Sequence, residues 1–266
     1  MEEAADYGID SPTIVAGLLL AGVAGIGLAA AVLTIGPGHA WVILFLFAAG
    51  IYFLPARAGM LFYSKAGKLR LRDEILGAIP WRHDEWVLDV GCGRGLLTIG
   101  AARLLTTGRA VGVDVWKPAD LSGSCPHAAL ENARAERLAA RVSVLGADAR
   151  VLPFRGASFD VMVSNFVLHN LNPRAEREKA VGGILRVLKP GGRMVLSDFI
   201  FTDEVESALR SLGADDLRRV RSESQSSWLT TLLNFGKVRV FRVTGAEPRS
   251  EDSAVPFEER GTSVFT

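Results

Sequence analysis

Before Arg57 the chain contains no lysine or arginine, although it carries 30 of them in 266 residues. A secretory leader opens on a basic segment, so its absence speaks against one; four acids (Glu2, Glu3, Asp6, Asp10) stand there instead. Cysteine is almost missing too. Cys92 and Cys125 stand at unrelated positions, which excludes a disulfide framework and a thiolate zinc site, and no carboxylate-rich cluster suggests another metal. Charge of either sign is sparse, at 22% of residues against 49% hydrophobic. With a formal net charge of +1 there is no basic stripe, so nucleic acid is not an expected partner.

What stands in place of charge is apolar length. Thr13 to Gly36 is uncharged and long enough to span a bilayer core as a helix. Gly36-Pro37-Gly38-His39 reads as a turn. Ala40 to Ala56 is a second uncharged run near the lower limit for spanning, with Trp41, Tyr52 and Phe53 where interfacial aromatics belong. These runs predict a helical hairpin with both ends on one side of a membrane; a hairpin lying in one leaflet stays open. Arg57, Lys65, Lys68, Arg70 and Arg72 put that side in the cytoplasm by the positive-inside rule. Gly17, Ala21, Gly25 and Ala29 line one face of the first helix and predict close helix packing, with a homodimer through that face as one outcome.

The remainder is organised around Trp86-Val87-Leu88-Asp89-Val90-Gly91-Cys92-Gly93-Arg94-Gly95. An apolar run, alternate glycines and then helical spacing (Leu96, Leu97, Ile99, Ala102, Leu105) predict strand, tight turn and helix. Glycine lets the backbone turn sharply and lets a ligand lie against it, and the helix N-terminus offers unpaired N–H groups. A second apolar strand ends at Asp114, where a βαβ unit places a carboxylate for a ribose diol. Position 96 is Leu where the dinucleotide fingerprint needs a third glycine, which argues against NAD. Strands near 109–115, 142–145, 159–164 and 193–197 alternate with helical stretches, so the class is α/β, with a parallel sheet covered on both faces.

Asp89-x-Gly91-x-Gly93-x-Gly95 resembles the first motif of the class I S-adenosylmethionine (SAM)-dependent methyltransferases. Gly146-Ala147-Asp148-Ala149, the stretch from Ser158 to Asn165 and the stretch from Leu188 to Arg193 resemble that family's later motifs, in order. The resemblance implies a doubly wound, mostly parallel seven-stranded sheet with one reversed strand near the C-terminus. It implies SAM as cofactor and a small-molecule acceptor. By motif match, Asp89 and the backbone of Gly91, Cys92, Gly93 and Gly95 serve the amino-acid end of SAM, and Asp114 the ribose hydroxyls. Val115 and Trp116 flank the adenine, Asp148 and the Ala149 N–H serve its edge, and Asn165 lines the methyl-donor end. His169 and Asn170 follow the fourth strand where an acceptor approaches, and His169 is the one candidate for a catalytic base. Asp160, inside a strand, reads as a structural carboxylate.

The chain is thus partitioned into an apolar segment (1–56), a linker with an amphipathic helix over Gly67 to Ile79 (57–85), a SAM-binding domain (86–245) and a polar tail (246–266). The expectation is a membrane-anchored methyltransferase acting on a small, lipophilic acceptor. Because every motif lies beyond residue 56, removal of residues 1–56 is expected to leave SAM binding intact. A nicotinamide oxidoreductase and a non-catalytic SAM-binding membrane scaffold are the alternatives.

Overall fold

The computed structural model describes residues 4–34, 36, 39–198, 200–214, 216–220 and 239–244. Strands β1 (Trp86–Val90), β2 (Arg109–Asp114), β3 (Val142–Gly146), β4 (Phe159–Asn165), β5 (Leu188–Asp198), β6 (Asp216–Val220) and β7 (Arg239–Thr244) form one sheet. Its order is β3-β2-β1-β4-β5-β7-β6. Neighbours from β3 to β5 are parallel, and β7 runs antiparallel to both β5 and β6, so it is the reversed strand. This is a Rossmann-like, doubly wound arrangement. The predicted tail lies outside the described residues, as does the stretch between β6 and β7.

Both faces of the central strands are buried, which explains their near-continuous apolar runs. On one face Val87, Val161, Val163 and Val195 pack under α3 (Lys68–Gly77), α4 (Leu96–Leu104) and α5 (Pro126–Ala135), through Leu71, Ile75, Ile99 and Ala129. On the other, Leu88, Met162, Met194 and Leu196 meet α6 (Arg174–Val187) and α7 (Thr202–Ser211) through Ile184, Leu185 and Leu209. Asp160 is the structural carboxylate expected: its Oδ2 accepts from the Trp86 N–H and the Lys189 ammonium, both at 2.9 Å. The fifth strand begins earlier than its apolar pattern does. Phe159 pairs with Leu188 and Val161 with Arg193, so Lys189 to Gly192 form a bulge inside β5 rather than a turn before it.

The two apolar runs form α1 (Pro12–Leu33) and α2 (Ala40–Phe62), each long and apolar enough to cross a membrane. Gly22 abuts Leu54 while Gly25 abuts Leu46 and Gly50, an antiparallel pairing. A Cβ on Gly25 would stand 2.9 Å from the Leu46 carbonyl, so the backbones approach as closely as small residues allow. The face used differs from the one expected. Val15, Gly22, Gly25 and Ala29 are buried, whereas Gly17 has nothing within 4 Å. Gly25 and Ala29 therefore serve the hairpin itself and are not left for a dimer.

The predicted linker is also not a separate unit. Helix α2 runs through a π-helical turn (Tyr63–Gly67) directly into α3, giving one helical run from Ala40 to Gly77. The segment before α1 departs furthest from expectation, because it lies on the sheet domain. Ile9 and Ser122 exchange bonds, Ile9 N–H to Ser122 Oγ at 2.7 Å and Ser122 N–H to the Ile9 carbonyl at 2.9 Å. Asp6 and Asn132 do the same, with the Asp6 N–H donating to Asn132 Oδ1 and Asn132 Nδ2 to the Asp6 carbonyl, both at 2.9 Å. Tyr7 is buried against the core, its hydroxyl donating to Glu136 at 2.6 Å.

Candidate active site

In the sheet order the chain direction of winding reverses between β1 and β4, and an open α/β sheet places its crevice at the carboxyl ends of such strands. Here the crevice is a cavity of about 420 Å³. Its floor is the turn after β1. The N–H groups of Gly91 and Cys92 both donate to the Val113 carbonyl, at 2.8 and 3.0 Å, which folds the turn back over β2. Gly91 takes φ +78° and would drive any Cβ into Val167, so only glycine fits. Gly95, at φ +86°, is the N-cap of α4. Cys92 is a buried filler whose sulfur lies against Gly112.

Asp89 is wholly buried in this floor. Its Oδ2 accepts from the Thr98 hydroxyl at 2.6 Å, and its Oδ1 has no partner. Burial, reinforced by the Asp114 charge, pushes its carboxyl up to about 7. Asp114, at the end of β2, accepts the Gly93 N–H on Oδ2 and the Trp116 N–H on Oδ1, both at 2.7 Å. It lines the cavity, and each of its oxygens has a second acceptor site.

The other predicted residues divide. Val115, Asp148, Ala149, Asn165, His169 and Asn170 all line the cavity. Trp116 does not; its backbone takes φ +47°, and its indole packs on the core and donates to the Gly93 carbonyl at 3.0 Å. It braces the turn through that bond and does not line the cavity. Asp148 is committed within its own loop, accepting the Arg150 N–H and a two-pronged contact from the Arg150 guanidinium at 2.5–3.0 Å. That hydrogen bonding holds its carboxyl at about 2. Asn165 presents a buried Oδ1 without a partner.

At the far end His169 lies against Asp198, the last residue of β5. The His169 N–H donates to Asp198 Oδ2 and its Nδ1 pairs with Oδ1, both at 3.0 Å. Phe166 stands edge-on to the imidazole with centroids 6.4 Å apart. In a neutral ring, donation from Nδ1 to the carboxylate leaves the lone pair on Nε2. Asp198 was not among the residues the motifs named, yet it carried the signal that marks Asp89 and Asp114: an acid closing an apolar strand. Tyr7, Asp10, Ser11 and Lys68 also line the cavity and carried no signal of that kind.

A methyltransferase domain family matches residues 88–196. The chain is 30% identical over 183 residues to the 27-O-demethylrifamycin SV methyltransferase of Amycolatopsis mediterranei (strain S699), covering 69% of this chain and 61% of that protein. It is 34% identical over 131 residues to the ubiquinone/menaquinone biosynthesis C-methyltransferase UbiE of Stutzerimonas stutzeri (strain A1501), covering 49% and 46%. Residues 88–196 are thus a methyltransferase domain, similar to those of the class I SAM-dependent methyltransferases. It spans about half the length of the curated relatives it matches. Among solved structures, the [4+2]-cyclase SpnF superposes with TM-score 0.52 at 20% identity, over 68% of this chain and 81% of that one, a likeness of fold alone.

For a methyltransferase of this family the cleft offers a consistent set of complements. A buried carboxylate oxygen without a donor suits a cation, and the half-buried Asp114 suits paired hydroxyls. The half-exposed Val115 gives an apolar edge beside them. Among the described residues no group of three or more His, Cys, Asp or Glu could hold a metal.

Proposed function

We propose that the chain is a membrane-anchored, SAM-dependent methyltransferase whose acceptor is a small, lipophilic molecule bearing an ionisable hydroxyl. One observation carries the reading: a single cleft runs from Asp89, Gly91, Gly93 and Asp114 to His169. SAM bound there supplies an electrophilic methyl on a sulfonium. Asp89 offers its free oxygen to the ammonium of the amino-acid end, and Asp114 accepts from the ribose hydroxyls. Val115 borders the adenine and the Ala149 N–H serves its edge; Asp148 joins them only by sharing the lone pairs now given to Arg150. Asn165 lines the methyl-donor end, and Asn170 helps seat the acceptor.

With SAM supplying the methyl group, His169 Nε2 would take the proton of an acceptor hydroxyl, and Asp198 would hold the ring and stabilise the imidazolium. The geometry of base and orienting carboxylate supports an acceptor that must lose a proton. The relatives' names, an O-demethylrifamycin methyltransferase and a quinone-biosynthesis C-methyltransferase, support the small-molecule class. The hairpin, with the basic flank from Arg57 to Arg72, anchors the domain on the cytoplasmic face and raises the local concentration of a membrane-dissolved acceptor.

Full-length protein in detergent, given methyl-labelled SAM and a membrane extract, is expected to move label into an organic-soluble product. Binding of S-adenosylhomocysteine with no transfer to any extract would leave the scaffold reading. NADH binding without SAM binding would leave the oxidoreductase.

A further inference from the structure

We infer that the cofactor site is split across the membrane hairpin: the segment upstream of both helices is one wall of it, and Asp10 and Arg94 complete with Asp89 a subsite for the zwitterionic amino-acid end of SAM. The inference rests on the SAM reading above and adds residues that no motif supplies.

Tyr7, Asp10 and Ser11 line the same cavity as Asp89, Gly91 and Arg94. They are held there by a buried cation. Lys68, on α3 just past the π-helical turn, donates to the carbonyls of Tyr7 and Gly8 at 2.6 Å each and to Asp10 Oδ2 at 3.3 Å. Those three acceptors use all three ammonium donors. Ser64, within the π-helical turn, adds a bond to the same Asp10 oxygen at 2.8 Å. Asp10 Oδ2 is thus fixed, while Oδ1 accepts no hydrogen bond among the described residues and the side chain is 34% exposed.

Asp89 and Arg94 line this cavity, and each carries a buried polar atom without a partner among the described residues, Asp89 Oδ1 and Arg94 Nε. An unpaired buried acceptor and an unpaired buried donor are each costly, and both are relieved by a ligand carrying an ammonium and a carboxylate on neighbouring atoms. An ammonium has three donors, so Asp89 Oδ1 alone leaves it under-satisfied, and Asp10 is the carboxylate that the strap of residues 6–11 brings to the same cavity. Arg94 also touches the strap, its Nη1 lying 3.4 Å from Asp6 Oδ2. No residue separates Ser11 from the start of α1 at Pro12, so the wall runs directly into the hairpin.

The test is calorimetry on the full-length protein in detergent, with S-adenosylhomocysteine and 5′-methylthioadenosine, which shares the nucleoside and lacks the amino-acid end. Asp10→Asn should weaken S-adenosylhomocysteine about ten- to a hundredfold and leave methylthioadenosine unchanged. Equal loss for both ligands, or no loss for either, would overturn the inference while the cofactor reading stands. Wild-type protein that binds neither ligand would sink the cofactor reading itself. If Asp10→Asn misfolds, hydrogen exchange in the wild type decides. S-adenosylhomocysteine should protect the amides of residues 6–11 more than methylthioadenosine does, and equal protection refutes the assignment.

Discussion

The floor and the roof of the cleft come from stretches of opposite kind. The floor, Asp89 to Gly95, is local: a strand, a turn forced by positive φ, and a helix cap within ten residues. The roof, residues 6–11, has no repeat, no glycine pattern and no regular structure, and it is placed by bonds to Asn132, 126 positions away, and Lys68, 61 positions away. Backbone geometry imposes residue types at fixed spacing, so it leaves a motif. Side-chain pins between distant positions impose none. Both stretches line the same cleft, yet only one of them is marked in the sequence.

The largest expected effect falls beyond both walls, at the acceptor end. His169→Gln should lower kcat by about 10²- to 10⁴-fold at saturating cofactor, the usual contribution of a positioned base, with S-adenosylhomocysteine affinity unchanged. A comparable fall in cofactor affinity would place His169 in the floor's business and remove it as the base. Asp114→Ala should come next. It strips the ribose of its acceptor and leaves the Gly93 and Trp116 N–H groups unpaired, costing about 1–3 kcal/mol in cofactor binding by calorimetry. An unchanged affinity would mean that the floor does not hold a diol.

Legibility follows the same division across the fold. The strands announced themselves by apolar runs closed by Asp89 and Asp114, and the hairpin by its lack of charge. The reversed β7 was implied only by resemblance, because strand direction leaves no trace in periodicity. For Trp116 a sequence shows that an aromatic follows Asp114 but not that its backbone takes a φ of +47° and its indole bonds the Gly93 carbonyl. The motif around Asp148 does not reveal that Arg150, at i+2 across a loop, bonds its carboxylate. The boundary after residue 56 failed for the roof's reason. Helix α2 continues into α3, and the residues before α1 return to the domain through pins that no spacing predicts.

Hairpin substitutions sharpen the contrast between a surface built for packing within the chain and one facing outward. Gly50→Leu would press a side chain onto Ile26 and stand its Cβ 3.1 Å from the Gly22 carbonyl, so the two helices must part. Overpacking of this kind costs about 1–3 kcal/mol, read as a lower unfolding temperature in detergent. Gly17→Leu meets nothing within 4 Å and should be neutral. If Gly17→Leu instead disrupts an oligomer seen by size, the outward face is an interface after all. Because α1 begins directly at the strap, Gly50→Leu should also weaken cofactor binding, an effect the floor by itself would not feel.

The smallest effect is a pH dependence set by Asp89. Its carboxyl titrates at about 7, raised first by burial and then by the Asp114 charge, so just below neutrality the unliganded floor is largely protonated. A cation needs the ionised form, so binding below about 7 must expel a proton, and affinity rises with pH until the carboxylate is fully formed. Between pH 7 and pH 8 the ionised fraction grows only about twofold, and so should affinity. Stability of the unliganded protein moves the opposite way: from the ordinary carboxylate range up to about 7 the folded chain keeps a proton that the unfolded chain releases, so stability falls as pH rises. Calorimetry at pH 6.5 in buffers of different ionisation enthalpy should record proton release on S-adenosylhomocysteine binding, and Asp89→Asn should abolish it. Release that persists in Asp89→Asn would assign the proton to another group, with Asp10 on the roof as the next carboxylate to test.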